Sequence, residues 1–479
     1  MKKIKYFIYL ILISIIIHSN CYAFNAYSVG SKYAVGVTHA GDDFTTNVKN
    51  AASAYKTMSG CNSYQSLISS YDYMRGSRLG SSRVYFINGH ANYDRITTAG
   101  YDKDNYRTGI SIYNDGYAYN DNLGDKWIFA GLNGRDMSGT RLITFAGCST
   151  AEGTNNLTAK AVQQGAKAAV GFSGSITSRF YDGPKWLNVY NIQLANNASV
   201  HKAVQQATLQ TSNSDLRFLY RAHGDSSITL NDTKSGIINS FSAIPLTLTN
   251  EEREALIPIE KVYKVLDIET DFKIEMSEKN EISYSNESIK QIIDIIKKDD
   301  IEFNTEDYKL TYNIINEKEG FGQIFLRYYI NKKIETNKEY VVTIYDNIVD
   351  DITLAGVKKS SISKIKEIEE EKLYTRVAEF EKNKKKESLY NEIQKLYGET
   401  YKVNINNILT SNNEINLKTI NSNIQEYKEK YYYDYNIDKL SYQVIIHENL
   451  GEIDLNGKTI TQIGDGEAIE IGIDWFYVK

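Results

Sequence analysis

Only three prolines, three cysteines and three tryptophans occur among the 479 residues. So few cysteines exclude a disulfide-stapled scaffold in a chain of this length. Long apolar runs are also missing. The longest, Tyr6 to Ile17, follows the basic residues Lys2, Lys3 and Lys5 and precedes Cys21-Tyr22-Ala23. At about a dozen residues it is short of the roughly 20 that a spanning helix needs. Residues 1–23 therefore read as a signal peptide, cut after Ala23. The mature chain is expected to be exported, to the outside or to the cell envelope, with no membrane span. Cys61 and Cys148 then remain, and a single bridge between them stays open beside two separate thiols. No basic, aromatic-interleaved surface or nucleic-acid motif is present, so nucleic acid is not an expected partner. The 38 tyrosines are read as compositional bias.

A chain this long calls for two or three domains. Glu152 is the one glutamate before residue 233, whereas the remainder is rich in glutamate and lysine and is net acidic. Pro245 and Pro258 fall just beyond that change. The boundaries expected are a first domain over residues 24–232, a linker over 233–258 and a second domain over 259–479.

Within the first domain, Arg83 to Asn88 and Leu142 to Ala146 are short apolar runs of the kind buried in a parallel sheet with helices on both faces. Tyr33 to Thr38 reads as the first strand, and Asp43 opens a helix carrying Val48, Ala52 and Tyr55 until Gly60. Asp115-Gly116 reads as a hairpin turn. A helix from about Asn155 to Gly165, a strand Ala168 to Phe172, a helix begun by Pro184 and another capped by Ser199 complete an alternating α/β pattern. The second domain reads as α+β. Tyr308–Ile315, Gly322–Ile330 and Glu339–Ile344 look like antiparallel neighbours, Ser441–His447 and Gly451–Ile460 like a hairpin, and 361–397 like a charged helix.

Both apolar runs end in reactive side chains, Asn88-Gly89-His90 and Ala146-Gly147-Cys148. Parallel strands bring ligands to their carboxyl ends, which sets an imidazole beside a thiol at one sheet edge. A thiolate is the attacking species in such a pair, and a neighbouring imidazolium favours it. His39 is a second candidate for the acid/base. His201 and His223 read as surface or packing residues.

A strand ending in His and a later strand ending in Gly-Cys resembles the caspase-fold (clan CD) cysteine peptidases, above all their secreted gingipain-like and clostripain-like branch. Ala159-Lys160-Ala161, Gly165-Ala166 and Ala168-Ala169-Val170-Gly171-Phe172 after the cysteine are similar to that family. So are the helix Ser199 to Ala207 and the stretch His223-Gly224-Asp225 to Leu230, read as a closing strand. The likeness covers roughly residues 30–232. One departure is that His90 follows Gly89 and precedes Ala91, where the family has His-Gly.

The resemblance implies a mostly parallel caspase-like sheet flanked by helices, followed here by a separate α+β C-terminal domain. It implies a cysteine endopeptidase acting on protein or peptide substrates, with Cys148 as nucleophile and His90 as general acid/base. The backbone N–H groups of Cys148 and Ala91 would form the oxyanion hole. Asp42 or Asp43 would line a pocket for Arg or Lys, with a helix cap the other reading of Asp43. No cofactor is required. Calcium supports some relatives, and Asp102, Asp104, Asp115 and Asp121 are candidate oxygen donors without EF-hand spacing. The alternatives are a non-catalytic surface or adhesion protein of the same fold and an amidase of cell-wall peptides. The second domain is expected to dock intramolecularly over the catalytic edge.

Overall fold

The computed structural model describes residues 24–32, 43–67, 79–80, 82–101, 107–117, 127–174, 182–211, 217, 219–231, 262–263, 287–332 and 334–355, with strands at 424–434, 439–449, 451–453, 459–462 and 468–478. The expected signal peptide, the Tyr33–Thr38 strand, the linker 233–258 and the charged helix 361–397 lie outside these residues.

The first part forms β1 (Phe24–Val29), α1 (Thr45–Lys56), β2 (Cys61–Ser66), β3 (Val84–Asn88), β4 (His90–Asn92), β5 (Arg95–Tyr101), β6 (Arg107–Tyr117), β7 (Trp127–Asn133), β8 (Leu142–Ala146), α2 (Leu157–Gln163), β9 (Ala168–Phe172), α3 (Asp182–Ala195), α4 (Val200–Gln210) and β10 (Tyr220–Gly224). Six of the strands make one sheet in the order β2-β1-β3-β8-β9-β10. Its members run parallel except β10, which is antiparallel to β9.

Every residue of β3, β8 and β9 is buried. The pleat sends alternate side chains to opposite faces. Val84 and Phe86 pack with Val48, Tyr55, Trp186 and Val204 of the helices on one face, while Tyr85 and Ile87 pack with Leu157, Ala161 and Met137 on the other. Two covered faces require apolar residues at every position, and for that reason these strands read as unbroken apolar runs. β2, with the polar sequence CNSYQS, is the edge next to β1. A second sheet, β4-β5-β6-β7, grows out of the β3 end.

Four local expectations need correction. The first strand is Phe24–Val29, whose Asn25 and Ser28 interrupt its apolar residues and leave it without the unbroken run that marks Tyr33–Thr38 in the sequence. Asp115-Gly116 is no hairpin turn: β6 runs through it to Tyr117, and the dipeptide falls at a register shift in the parallel pairing with β7. The closing strand ends at Gly224 rather than beginning at His223, because Gly224 adopts φ 79° and turns the chain. Among the described residues, Gly451–Ile453 pairs with Thr459–Gln462, while Lys439–Asn449 pairs with Ile424–Asp434 and Ala468–Val478.

The second part contains β11 (Val262–Tyr263), α5 (Glu287–Asp299), β12 (Tyr308–Asn316), β13 (Phe321–Ile330), β14 (Ile334–Tyr345), β15 (Ile348–Ala355), β16 (Ile424–Asp434), β17 (Lys439–Asn449), β18 (Gly451–Ile453), β19 (Thr459–Gln462) and β20 (Ala468–Val478). An eight-stranded sheet joins β11 through β17 and β20, antiparallel throughout except for β14 with β16, while β18 pairs with β19 alone. Ile289, Ile292, Ile293 and Ile296, three and four apart, put one face of α5 on that sheet. Thus the chain is mixed α/β, with a mostly parallel six-stranded sheet in the first part and a separate, largely antiparallel eight-stranded sheet in the second.

The two parts meet along α4 and β10. Gln205 Nε2 donates to Thr343 Oγ1 at 2.8 Å and to Asp351 Oδ2 at 2.6 Å. The ring of His201 stacks on Tyr345 at 4.3 Å. Arg217 pairs with Glu339, which also holds Arg327, and all three are buried. Ser226 donates to Glu319, and Asn316 Nδ2 donates to the Gly224 carbonyl at 2.9 Å. β10 stands two strands from β8, so these contacts run along the far edge of the sheet and not over the ends carrying His90 and Cys148. Among the described residues, no helix is long and apolar enough to cross a membrane.

Candidate active site

β3 and β8 lie side by side and in parallel, with Val84 opposite Leu142 and Asn88 opposite Ala146. His90 and Cys148 each stand two residues beyond that last pair, so both come off the same edge of the sheet. The glycines between carry the contact. A Cβ on Gly147 would lie 2.5 Å from the Ala91 Cβ and 2.7 Å from the Gly89 carbonyl oxygen. The neighbours of His90 on both sides therefore press on the residue before Cys148, at a distance that only glycine allows. The Gly89 N–H also donates to the Ala146 carbonyl at 3.3 Å, continuing the ladder one step past the strands.

After Gly89 the chain leaves the main sheet as the hairpin β4–β5, with Asn92 opposite Arg95 across a two-residue turn. In such a hairpin the closing pair exchanges hydrogen bonds and the next pair does not. Ala91, opposite Ile96, is that next pair, so its N–H faces away from β5. His90 itself is half-buried, with the ring of Phe44 edge-on to the imidazole at 5.2 Å and 90°.

Cys148 is 7% exposed. Ser149, directly after it, holds φ 57°, a left-handed conformation uncommon outside glycine. Several bonds hold that turn. The Ser149 N–H donates to the Gly174 carbonyl at 2.9 Å and the Ala151 N–H to the Phe172 carbonyl at 2.7 Å. The buried Thr150 hydroxyl reaches the Phe145 carbonyl at 2.9 Å and the Gly147 carbonyl at 3.2 Å, and accepts from the Phe172 N–H at 3.1 Å. Strain of this kind survives only where the surroundings over-determine it.

Beneath the two reactive groups runs a buried polar relay. Asn47 Nδ2 donates to Asn88 Oδ1 at 2.8 Å, and Asn88 Nδ2 donates to the Ala146 carbonyl at 2.5 Å. It ties α1, β3 and β8 together one turn of pleat below the site. Gly30 is part of the same packing, since a Cβ there would come within 2.6 Å of the Asn88 carbonyl.

Cys61 and Cys148 are thiols, not a bridge. Cys61 opens β2 opposite Phe24, at the amino end of the parallel strands, while Cys148 follows β8 at the carboxyl end. Some eight residues of strand separate their levels, about 26 Å, against the roughly 7 Å between Cα atoms that a disulfide tolerates. Burial pushes the Cys61 thiol up to about 11.

Of the other sequence candidates, Asp43 is exposed, and its carboxylate accepts from the Thr45 N–H at 2.8 Å at the start of α1. That is a local turn just ahead of α1, whose cap position is Phe44 and carries no side-chain cap bond, so the structure does not place Asp43 as the helix cap. Asp42 and His39 lie outside the described residues. His201 and His223 are packing residues, both held below the ordinary imidazole range chiefly by burial. His223 Nδ1 bonds the Thr158 hydroxyl at 2.8 Å. Of the candidate calcium ligands Asp115 falls in β6, and Asp102, Asp104 and Asp121 lie outside the described residues. Among the described residues no group of three or more His, Cys, Asp or Glu side chains is arranged to hold a metal ion.

Phe44, Asn47 and Asn88 were missed in the sequence. Asn88 did carry a signal, as an amide closing an otherwise apolar strand, and Asn47 sits among the buried positions of α1. No protein-family model matches the chain, and no curated protein matches it either.

Proposed function

We propose that the chain is an exported cysteine endopeptidase of caspase-like fold, with Cys148 as nucleophile and His90 as general acid/base. The carrying observation is the placement of the residues flanking His90, Gly89 and Ala91, against Gly147, which immediately precedes Cys148. The strand order β2-β1-β3-β8-β9-β10 with one antiparallel edge is compatible with that fold.

In this reading the Cys148 thiolate adds to a peptide carbonyl carbon and the carbonyl oxygen becomes an oxyanion. The N–H groups of Ala91 and Cys148 are assigned to bind it. The C–N bond then breaks, His90 gives its proton to the leaving amine, and a thioester remains. A water molecule, its proton taken by His90, attacks the thioester carbonyl and releases the acid and the thiol. The Phe44 ring, edge-on to the imidazole, limits how far His90 swings. A preference for Arg or Lys before the cut bond is assigned to Asp42 or Asp43 on the resemblance alone, because a carboxylate pairs well with guanidinium.

The test is hydrolysis of a panel of fluorogenic peptides by the mature chain and by His90→Ala. The proposal expects turnover by the mature chain and a fall of about 10²–10⁴-fold in kcat/KM for the variant. Unchanged hydrolysis by the variant refutes the role of His90. Cleavage after Asp as fast as after Arg or Lys removes the pocket assignment alone.

A further inference from the structure

The turn that carries Cys148 is held by a side chain outside the proposed dyad. Thr150 is fully buried, and its hydroxyl meets the backbone on three sides. It donates towards the Phe145 carbonyl at 2.9 Å and the Gly147 carbonyl at 3.2 Å, and it accepts from the Phe172 N–H at 3.1 Å. Phe145 belongs to β8, Gly147 directly precedes the nucleophile, and Phe172 ends β9. Thr150 is itself anchored, since its carbonyl accepts from the Thr158 N–H at 3.4 Å. A Cβ on Gly171 would lie 2.7 Å from the Thr150 Oγ1, so the glycine there makes room for the hydroxyl.

The consequence falls on the peptide unit between Gly147 and Cys148. No cis peptide occurs among the described residues. A trans peptide is planar, with its C=O and N–H pointing in opposite directions. The Gly147 carbonyl is turned towards the Thr150 hydroxyl, so the Cys148 N–H of the same plane points away from Thr150. The left-handed Ser149, at φ 57°, turns the chain back and lets the hydroxyl reach a carbonyl three residues earlier. Neighbouring planes are held by backbone bonds, from the Gly147 N–H to the Phe145 carbonyl at 3.0 Å and from the Ser149 N–H to the Gly174 carbonyl at 2.9 Å. The plane that carries the Cys148 N–H is held through a side chain.

We propose that Thr150 is a positioning residue, which anchors the Gly147 carbonyl and thereby aims the Cys148 N–H at the oxyanion formed when the thiolate attacks. The inference rests on the peptidase reading and deepens it. An oxyanion donor acts only when it is aimed at the place the oxygen takes in the transition state. A peptide plane released to rotate therefore costs rate and not substrate binding, while the thiol keeps its reactivity.

The experiment compares Thr150→Val, which keeps the shape of threonine without the hydroxyl, with Thr150→Ser, which keeps the hydroxyl. Hydrolysis of a fluorogenic peptide and the rate of iodoacetamide alkylation at Cys148 are measured on the same preparations of the mature chain. Alkylation displaces iodide from a saturated carbon and forms no oxyanion. Deleting an oxyanion donor outright costs about 10²–10³-fold in kcat, so a misaimed one in Thr150→Val is expected to cost about 10–100-fold, with KM nearly unchanged. Alkylation of Cys148 should stay close to the wild-type rate, and Thr150→Ser should restore most of kcat. If valine, which presses a methyl group on two carbonyls, does not fold, Thr150→Ala removes the hydroxyl without that contact and carries the same expectation. Wild-type kcat in the folded valine or alanine variant, a loss of kcat matched by an equal loss of alkylation, or no recovery with serine overturns the role of Thr150 alone. Turnover that persists in Cys148→Ala overturns the peptidase reading and this inference with it.

Discussion

Ala91 and Gly147 touch: the space in which a Gly147 Cβ would sit is already filled by the Cβ of Ala91, 2.5 Å away. This contact joins the hairpin that follows His90 to the turn that leads into Cys148, and the proposed chemistry depends on it. Gly147→Ala is therefore expected to destabilise the fold by about 1–3 kcal/mol through overpacking, and to depress peptide hydrolysis further than the stability loss accounts for. Urea unfolding alongside turnover checks this. A variant of wild-type stability and wild-type turnover would show that the two loops are not locked together.

The interface along α4 gives a pH prediction. Burial between the two parts, with Lys202 adding to the effect, lowers His201 to about 4, while Asp350 and the Ser226 backbone oppose the shift. His223 is shifted in the same direction. An unfolded histidine titrates near 6.5, so between about pH 6.5 and 4 the unfolded chain binds protons that the folded chain refuses, and stability falls as pH falls through that window. Above it the stabilisation is complete. Chemical denaturation at a series of pH values should show this loss, and His201→Phe should flatten its slope. An unaltered slope in the variant would assign the pH dependence elsewhere.

Glu339 accepts from both Arg217 of the first part and Arg327 of the second while buried. Glu339→Gln takes the buried carboxylate from Arg217 and leaves Arg327 to its pair with Glu335, a change that costs roughly 3–5 kcal/mol for a broken buried pair. A marked fall in the urea midpoint is expected. In the wild-type chain, calorimetry should show the two parts unfolding in one transition, since the first part alone would uncover His201, Arg217 and Gln205. Two independent transitions, the lower one alone moved by Glu339→Gln, would contradict this coupling.

The elements that position the site were legible because their burial is written locally. β3, β8 and β9 are covered on both faces and so are apolar at nearly every position. α4 begins at Val200 because the Ser199 hydroxyl accepts from the Lys202 N–H at 3.4 Å, a capping signal readable in sequence. β2 had no such mark: an edge strand needs no apolar face, and CNSYQS reads as loop. The Asn47–Asn88 bond spans 41 positions and the contact of Phe44 with His90 spans 46, and neither leaves a local pattern. The left-handed Ser149 was likewise invisible, since serine gives no hint of that conformation. Net charge, the only local guide to how the two parts meet, carries no information about which surfaces touch. Geometry put the docking surface along β10, where Arg217, Ser226 and Gly224 find specific partners.

The most direct test is mapping by mass spectrometry of iodoacetamide adducts formed near pH 7, read against peptide hydrolysis in the same samples. Cys61, its thiol pushed up to about 11, should stay unmodified. The account predicts alkylation at Cys148, turnover lost in step with Cys148 occupancy, and an inactive Cys148→Ala. Hydrolysis that persists undiminished with Cys148 fully alkylated, or in Cys148→Ala, would contradict it.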